Sequence, residues 1–197
     1  MIKLIGASGH AKVILDILLQ GNLEVSGFYD DNLSIREFKG LKSHGSVSQI
    51  TPSQDLHIIS IGVNSIRAKI ANRLSVSYTM AIHSSAVLSP STNIGEGSVV
   101  MAGAVVNADS VIGKHCILNT QCSIDHDCII EDFVHISPNA CVTGGVFIGE
   151  GAHIGAGAVI IPGVKIGAWS TIGAGAVVIR DVEPNTVVVG NPAKPLK

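Results

Sequence analysis

From Ile82 to Val178 an aliphatic residue occupies every sixth position without a gap: Ile82, Leu88, Ile94, Val100, Val106, Ile112, Leu118, Ile124, Ile130, Ile136, Val142, Ile148, Ile154, Ile160, Ile166, Ile172 and Val178. An α-helix repeats at 3.6 and a half-buried strand at 2, so neither generates this series. The period predicts a solenoid in which each hexad is one short strand and one corner. Two places before each aliphatic residue stands a small or modest one, such as Ala104, Cys116, Ala140, Ala158 or Ala176. Glycine follows the aliphatic residue at Gly95, Gly113, Gly149, Gly155, Gly167 and Gly173. At a corner these glycines are expected to serve positive φ or close backbone approach.

Upstream the pattern changes. Ile2 to Ile5 reads as a strand, Gly6-Ala-Ser-Gly-His10 as a tight loop, and the spacing of Val13, Ile14, Ile17 and Leu18 as a helix from Ala11 to a C-cap at Gly21. Val25 to Tyr29 is a second strand, stopping at Asp30-Asp31, which completes a βαβ unit of a small parallel sheet. Asn32 to Asp55 has little pattern beyond a short strand near Val47. His57 to Ile61 is a further strand, Gly62-Val-Asn64 a turn, and Ser65 to Leu74 a helix with Ser65 as N-cap. A strand from Tyr78 to Ile82 leads into the hexads, dividing the chain into domains 1–80 and 81–197. After Val178 the rhythm fails at Pro184, and Val187 to Lys194 forms a tail.

The first loop is neither a full G-x-G-x-x-G fingerprint nor a P-loop, and taken alone it reads equally as an ordinary strand-to-helix turn. Asp30 and Asp31 stand at a strand end about twenty residues on, where a carboxylate can meet a ribose or sugar hydroxyl. His10, Asp30, Asp31, Gly62, Asn64 and Arg67 are the candidate ligand contacts of this domain, although Arg67 reads equally as a helix-surface charge.

Composition narrows the classes. Hydrophobic residues make up 46%, charged ones 14% and aromatic ones 4%, which suits a narrow aliphatic coil interior. A net charge of -2 gives no reason to expect nucleic acid or an anionic membrane as partner. No segment approaches a membrane span and the first residues lack the apolar core of a signal peptide, so a cytoplasmic location is expected. Cys116, Cys122 and Cys128 take the small inward position of consecutive hexads and read as reduced packing residues. No CxxC is present, and no metal is expected.

With an aliphatic interior, reactive groups must lie outside. Six of the eight histidines admit plain readings as loop, start-of-repeat or outward repeat residues, His10 and His153 among them. His126 and His135 remain, in Asn119-Thr-Gln-Cys-Ser-Ile-Asp-His-Asp127 and Phe133-Val-His-Ile-Ser-Pro-Asn-Ala140, the least repeat-like segments of the run. The hexads resemble those of the hexapeptide-repeat acyltransferases, whose left-handed parallel β-helix winds three hexads into one coil. With Gly6 to His10 and the two histidine segments, the resemblance narrows to the bacterial sugar O- and N-acetyltransferases of the NeuD and PglD type. It implies an α/β Rossmann-like βαβ domain followed by an all-β left-handed parallel β-helix.

The resemblance further implies acetyl-CoA as co-substrate and, as acceptor, the 4-amino group of a nucleotide-linked, typically UDP-linked, 4-amino-4,6-dideoxy sugar. By the same resemblance His126 is the general base, Asp127 its acidic partner and Asn119 a polar residue near it. His135, Gly144, Ala156 and Ala174 match acetyl-CoA contacts. Asp125 also flanks His126 and is an alternative partner for its ring.

The chemistry is coherent: an amine attacking a thioester must lose a proton, and an imidazole can take it at neutral pH while a carboxylate holds the other ring nitrogen. With eighteen residues per coil, His126, Gly144, Pro162 and Arg180 form one column, leaving the site above His126 free of a side chain, where a backbone N–H can meet an oxyanion. Thr120, Pro138, Ala156 and Ala174 form another, with room for a pantetheine arm. His126 and His135 are nine apart, one and a half hexads, and so fall on different faces. This predicts a homotrimer with intersubunit sites. The open alternatives are a sialic-acid-type O-acetyltransferase, a GDP- or dTDP-linked acceptor, a zinc enzyme of the γ-carbonic-anhydrase kind using His126, His135 and His153, and a noncatalytic scaffold.

Overall fold

The computed structural model describes residues 1–196. The chain opens with β1 (Ile2–Ile5), α1 (Gly9–Gln20) and β2 (Val25–Tyr29). A hairpin of β3 (Glu37–Phe38) and β4 (Leu41–Lys42) follows, then β5 (Leu56–Ile59), α2 (Asn64–Arg73) and β6 (Ser77–Tyr78). The parallel sheet has strand order β2-β1-β5-β6, with β1 between β2 and β5. Its loops at the carboxyl ends therefore gather Gly6 to His10, Asp30-Asp31 and Gly62 to Asn64 along one edge, the place where open parallel sheets take ligands.

Four local expectations change. The residues around Val47 form a 3-10 turn, Val47–Gln49, in which Ser46 and Gln49 make a capping box; this reciprocal cap closes a turn where a strand was expected. The hairpin before it had no signal in the hydrophobic pattern. The second helix starts at Asn64, with Val63 as N-cap and no side-chain cap, so Ser65 lies inside the helix. The strand expected over Tyr78 to Ile82 is two strands: β6 pairs with β5, while Ala81–Ile82 belongs to the solenoid.

The solenoid has three parallel faces and winds left-handed. Face 1 stacks Ala81–Ile82, Val99–Val100, Ile117–Leu118, His135–Ile136, His153–Ile154 and Thr171–Ile172, and Val187–Val189 continues it. Face 2 runs from Val87–Leu88 to Val177–Val178, and face 3 from Asn93–Ile94 to Lys165–Ile166. The register advances by eighteen throughout, for example Val99 on Ile117, His135 and His153. The sixth-position aliphatics from Val100 onward point inward and are fully buried, each such side chain contributing roughly 1.5–3 kcal/mol. Ile82, Leu88 and Ile94 of the first coil are less buried because no coil lies beneath them. Cys116, Cys122 and Cys128 sit among these core residues, and burial pushes the Cys116 and Cys122 thiols up to about 12.

The corner glycines serve close approach and not positive φ. A Cβ on Gly95 would lie 2.6 Å from the Gly113 carbonyl carbon of the next coil. Left-handed backbone falls two residues later, at Gly97, Gly103, Gly145 and Gly151 but also at His115, Asp127, Phe133 and Trp169.

The N-terminal domain packs on the lower coils of face 1. Ala11, Ile14, Leu15 and Leu18 of α1 share one apolar cluster with Ala81, Val99, Met101 and Ile117, the outward residues of that face. Arg67 seals the seam. It is 1% exposed, and its guanidinium donates to the carbonyls of His115 (2.7 Å), Phe133 (2.8 Å), Ile61 (3.1 Å) and Gly62 (3.3 Å) and to Asn64 Oδ1 (3.0 Å). Asn64 Nδ2 donates in turn to the carbonyls of Gly151 and Ala152. Beside this seam the His115 ring stacks on Phe133 and meets Tyr78 edge-on.

Candidate active site

Two groups of residues emerge, separated by face 2. The first is at the corner between faces 2 and 3, where the chain turns through Asp125, His126, Asp127 and Cys128. The turn requires left-handed backbone at its third residue, and Asp127 takes it at φ 58, a conformation short polar residues tolerate. This bends the Asp127 carboxylate back onto the His126 ring, with Oδ2 2.7 Å from Nδ1. Asp125 plays a different part: its Oδ1 accepts from the His126 backbone N–H and from Asn107 Nδ2, both at 2.9 Å. Asp127 is therefore the carboxylate that holds the ring, and Asp125 holds the backbone.

The Asp127 hydrogen bond, aided by the Asp125 charge, raises the His126 pKa above its ordinary value. Both side chains of the pair are open to solvent, 60% and 66% exposed. Gly144 lies directly over the ring, since a Cβ there would come within 2.8 Å of His126 Cε1 and Nε2. Among the described residues the Gly144 N–H has no acceptor within the chain. This corner thus presents an imidazole Nε2 and an unpaired peptide N–H together, as a proton acceptor beside an oxyanion donor requires.

The second group lies on face 1 and its corner with face 2. Asn119, expected near His126, is joined instead to His135: its Nδ2 lies 3.0 Å from His135 Nε2, while its Oδ1 accepts from the Thr120 N–H at 2.8 Å. Because Oδ1 is engaged by a donor, the amide presents N–H to the ring, and His135 Nε2 is an acceptor with the proton on Nδ1. Burial first, then the charges of His153, Arg67 and His10, push the His135 pKa down to about 3. The ring is neutral at physiological pH and is a poor base there. Ala156 and Ala174 are exposed at the corner between faces 1 and 2, one above the other and clear of side-chain bulk.

His135 also borders a cleft of about 520 Å³ between face 1 and the start of α2, lined by Gly62 to Ser65, His135, Gly151, His153, Trp169 and Thr171. His153, given only a plain outward role by its place in the repeat, stacks on His135 at 4.9 Å and meets Ser137 Oγ at 2.9 Å. Trp169 and Thr171 also line the cleft, and nothing in the hydrophobic pattern marks them as site residues. The eighteen-residue register contains the missing signal, since it stacks His153 and Thr171 on His135 and Trp169 on Gly151.

The remaining candidates divide. His10 stands half-buried near enough to His135 for their charges to interact, its Nε2 without a partner among the described residues and its pKa pushed down to about 4 by burial and by Arg67. Gly62 lines the cleft. Asp30 accepts from the Ala7 and Asn32 N–H groups, and Asp31 from that of Val47, so both carboxylates brace the loops at the sheet edge. Arg67 does not face a ligand, because all five of its N–H directions are engaged in the seam, and Asn64 likewise directs its amide N–H groups to the solenoid.

Comparison with known proteins agrees with this architecture. Residues 1–74 match the PglD N-terminal domain family and residues 145–180 the bacterial transferase hexapeptide family. Perosamine N-acetyltransferase of Caulobacter crescentus, solved with CoA and GDP-perosamine, is 37% identical with a TM-score of 0.93, over 100% of this chain and 96% of that one. The acetyltransferase domain of PglB from Neisseria gonorrhoeae is 39% identical with a TM-score of 0.92, over 99% and 98%, and has also been solved with acetyl coenzyme A. UDP-N-acetylbacillosamine N-acetyltransferase of Bacillus subtilis is 39% identical over 111 residues, which are 51% of this chain. Matches to curated relatives are partial, spanning 50% of the Bacillus protein and 21% of a mimivirus protein.

Proposed function

Because this chain belongs to the hexapeptide-repeat sugar acetyltransferases of the PglD type, we propose that it transfers acetyl from acetyl-CoA to the 4-amino group of a nucleotide-linked 4-amino-4,6-dideoxy sugar. The observation that carries the chemistry is the corner at His126: a ring held by Asp127 at 2.7 Å beneath a glycine that leaves Nε2 open. His126 takes the proton of the attacking amine as the nitrogen adds to the thioester carbonyl. Asp127 fixes the tautomer and stabilises the imidazolium. The Gly144 N–H is placed for the oxyanion, and CoA leaves as the tetrahedral intermediate collapses, with no acyl-enzyme.

His135, neutral and held by Asn119, is suited to hydrogen bonding at the acetyl end of the cofactor, with the pantetheine arm over Ala156 and Ala174. The acceptor's nucleotide belongs at the sheet edge formed by Gly6 to His10, Asp30, Asp31 and Gly62. Likeness to an enzyme solved with GDP-perosamine and to one named for a UDP-linked sugar supports the amino-sugar class, with UDP as our reading of the nucleotide. The proposal is tested by CoA release from acetyl-CoA against UDP-, GDP- and dTDP-linked 4-amino sugars and free sialic acids. Turnover is expected with a UDP-linked amine; turnover confined to a sugar hydroxyl would replace N- by O-acetylation.

In one chain His126 and the track over Ala156 and Ala174 lie on different corners. Side-by-side packing of three solenoids brings the corner of one copy to the track of the next and covers the exposed His126–Asp127 pair. A trimer is expected by light scattering at assay concentration, and an active monomer would contradict intersubunit sites.

A further inference from the structure

The turn that carries His126 rests on residues 107–110 of the coil beneath it. The Ala108 carbonyl accepts from the Asp127 N–H at 3.1 Å. Ser110 Oγ donates to the Asp125 carbonyl at 2.7 Å and accepts from the Cys128 N–H at 3.1 Å. These bonds belong to the architecture of the coil, since Ser98 makes the same pair to Gly113 and Cys116 at the corner between faces 3 and 1.

Asn107 is different. With eighteen residues per coil its column reads Ser89, Asn107, Asp125, Thr143, Ile161 and Ile179. Among the described residues, the bond from Asn107 to Asp125 is the one side-chain hydrogen bond between neighbours in that column. Asn107 Nδ2 donates at 2.9 Å to Asp125 Oδ1, the same oxygen that accepts the His126 N–H at 2.9 Å. The backbone of Asn107 is itself fixed, its N–H donating to the Ile124 carbonyl and its carbonyl accepting from Thr92 Oγ1.

Two carboxylates thus flank one imidazole. Asp127 holds Nδ1 at 2.7 Å, which leaves Nε2 as the proton acceptor. Asp125 is close enough for its charge to help raise the His126 pKa. Freed from Asn107, that carboxylate would be drawn to the imidazolium and would compete with the amine for Nε2. We infer that Asn107 is a positioning residue, which latches Asp125 onto the His126 backbone so that Asp127 alone holds the ring and Nε2 stays open to the substrate amine. An amide suits the place because it offers the carboxylate an N–H without a charge, whereas an aspartate there would repel Asp125. This inference rests on the role proposed for His126 above.

Asn107→Ala is expected to lower kcat about fivefold, with the KM values for acetyl-CoA and for the amino-sugar nucleotide unaltered. Asn107→Asp, nearly the same size but without the N–H and with a like charge, should lose more than Asn107→Ala. Because Asn107 acts through Asp125, Asn107→Ala should cost nothing further in an Asp125→Ala background. In the resting enzyme, proton NMR of the His126 ring, with His126→Ala assigning the signal, should show a higher titration midpoint in Asn107→Ala than in the native chain, since a carboxylate that moves onto the ring favours its charged form. The rise should vanish in the Asp125→Ala background. An unaltered kcat, an equal loss in both backgrounds, or a midpoint that stays or falls in Asn107→Ala each overturns the inference. If the native chain acetylates no nucleotide-linked amino sugar, the proposed reaction falls, and the NMR titration alone decides whether Asn107 holds Asp125 off the ring.

Discussion

His126→Ala is expected to lower kcat by about 10²- to 10⁴-fold, the range over which a positioned general base contributes, with little change in thermal stability. The ring is exposed at a corner and its removal opens no cavity in the aliphatic core. Asp127→Asn should give a smaller loss with a distinctive pH signature. The base works unprotonated, so kcat/KM rises with pH through the His126 pKa. The Asp127 hydrogen bond raises that pKa from its ordinary value of 6.5. Removing the carboxylate therefore moves the acid limb to lower pH while lowering the plateau, because the imidazolium formed during transfer loses its partner. His135 gives the contrasting case: with its pKa pushed down to about 3 it has no limb to contribute near neutrality. Retained transfer in His126→Ala would remove the assignment.

Arg67→Met is expected to have the largest effect on stability, of the order of 3 kcal/mol or more, since it strands buried carbonyls that a charged donor satisfied. Burial lowers the Arg67 pKa to about 10, which still leaves the group charged at neutral pH. Its five bonds join three places: the turn after β5, the first turn of α2, and the solenoid corners at His115 and Phe133. Losing them leaves the N-terminal domain held to the coils by the α1 cluster and Asn64 alone, and disturbs the Gly62 to Ser65 wall of the cleft. Arg67→Lys should fall well short of rescue, because an ammonium has three donors and no planar fork. Arg73→Met, at the exposed end of the same helix, should stay within about 0.5 kcal/mol of wild type. Equilibrium urea unfolding measures all three, and an Arg67→Met midpoint equal to that of the native chain would contradict the role of the seam.

The solenoid was readable because every inward position repeats at six and every stacked neighbour at eighteen, a period no other element shares. With eighteen residues per coil, as the resemblance implies, the same register sets Gly144 over His126 and keeps His126 away from the face that carries His135. What stayed hidden has physical reasons. The β3–β4 hairpin and the 3-10 turn at Val47 are too short for a hydrophobic period to show. The partners of Arg67 are four backbone carbonyls and one side-chain amide, and carbonyls leave no trace in residue identity, so the side chain looked like a surface charge or a ligand contact. Asn119 stood close in sequence to His126, yet seven residues are more than one hexad and carry it to the next corner. Trp169 lay in the repeat as an ordinary outward residue; its place beside the turn from Gly62 to Ser65 arises only when the two domains dock.

In the proposed reaction acetyl passes directly from the thioester to an amine of a nucleotide-linked sugar, with His126 taking the proton. Rapid-quench measurement of CoA and of labelled acetyl from acetyl-CoA, with and without the amino-sugar nucleotide, tests it most directly. CoA is expected to appear only when the acceptor is present, in step with N-acetylated nucleotide sugar and with no label on the protein. A stoichiometric burst of CoA without acceptor, leaving acetyl bound to the chain, would contradict it.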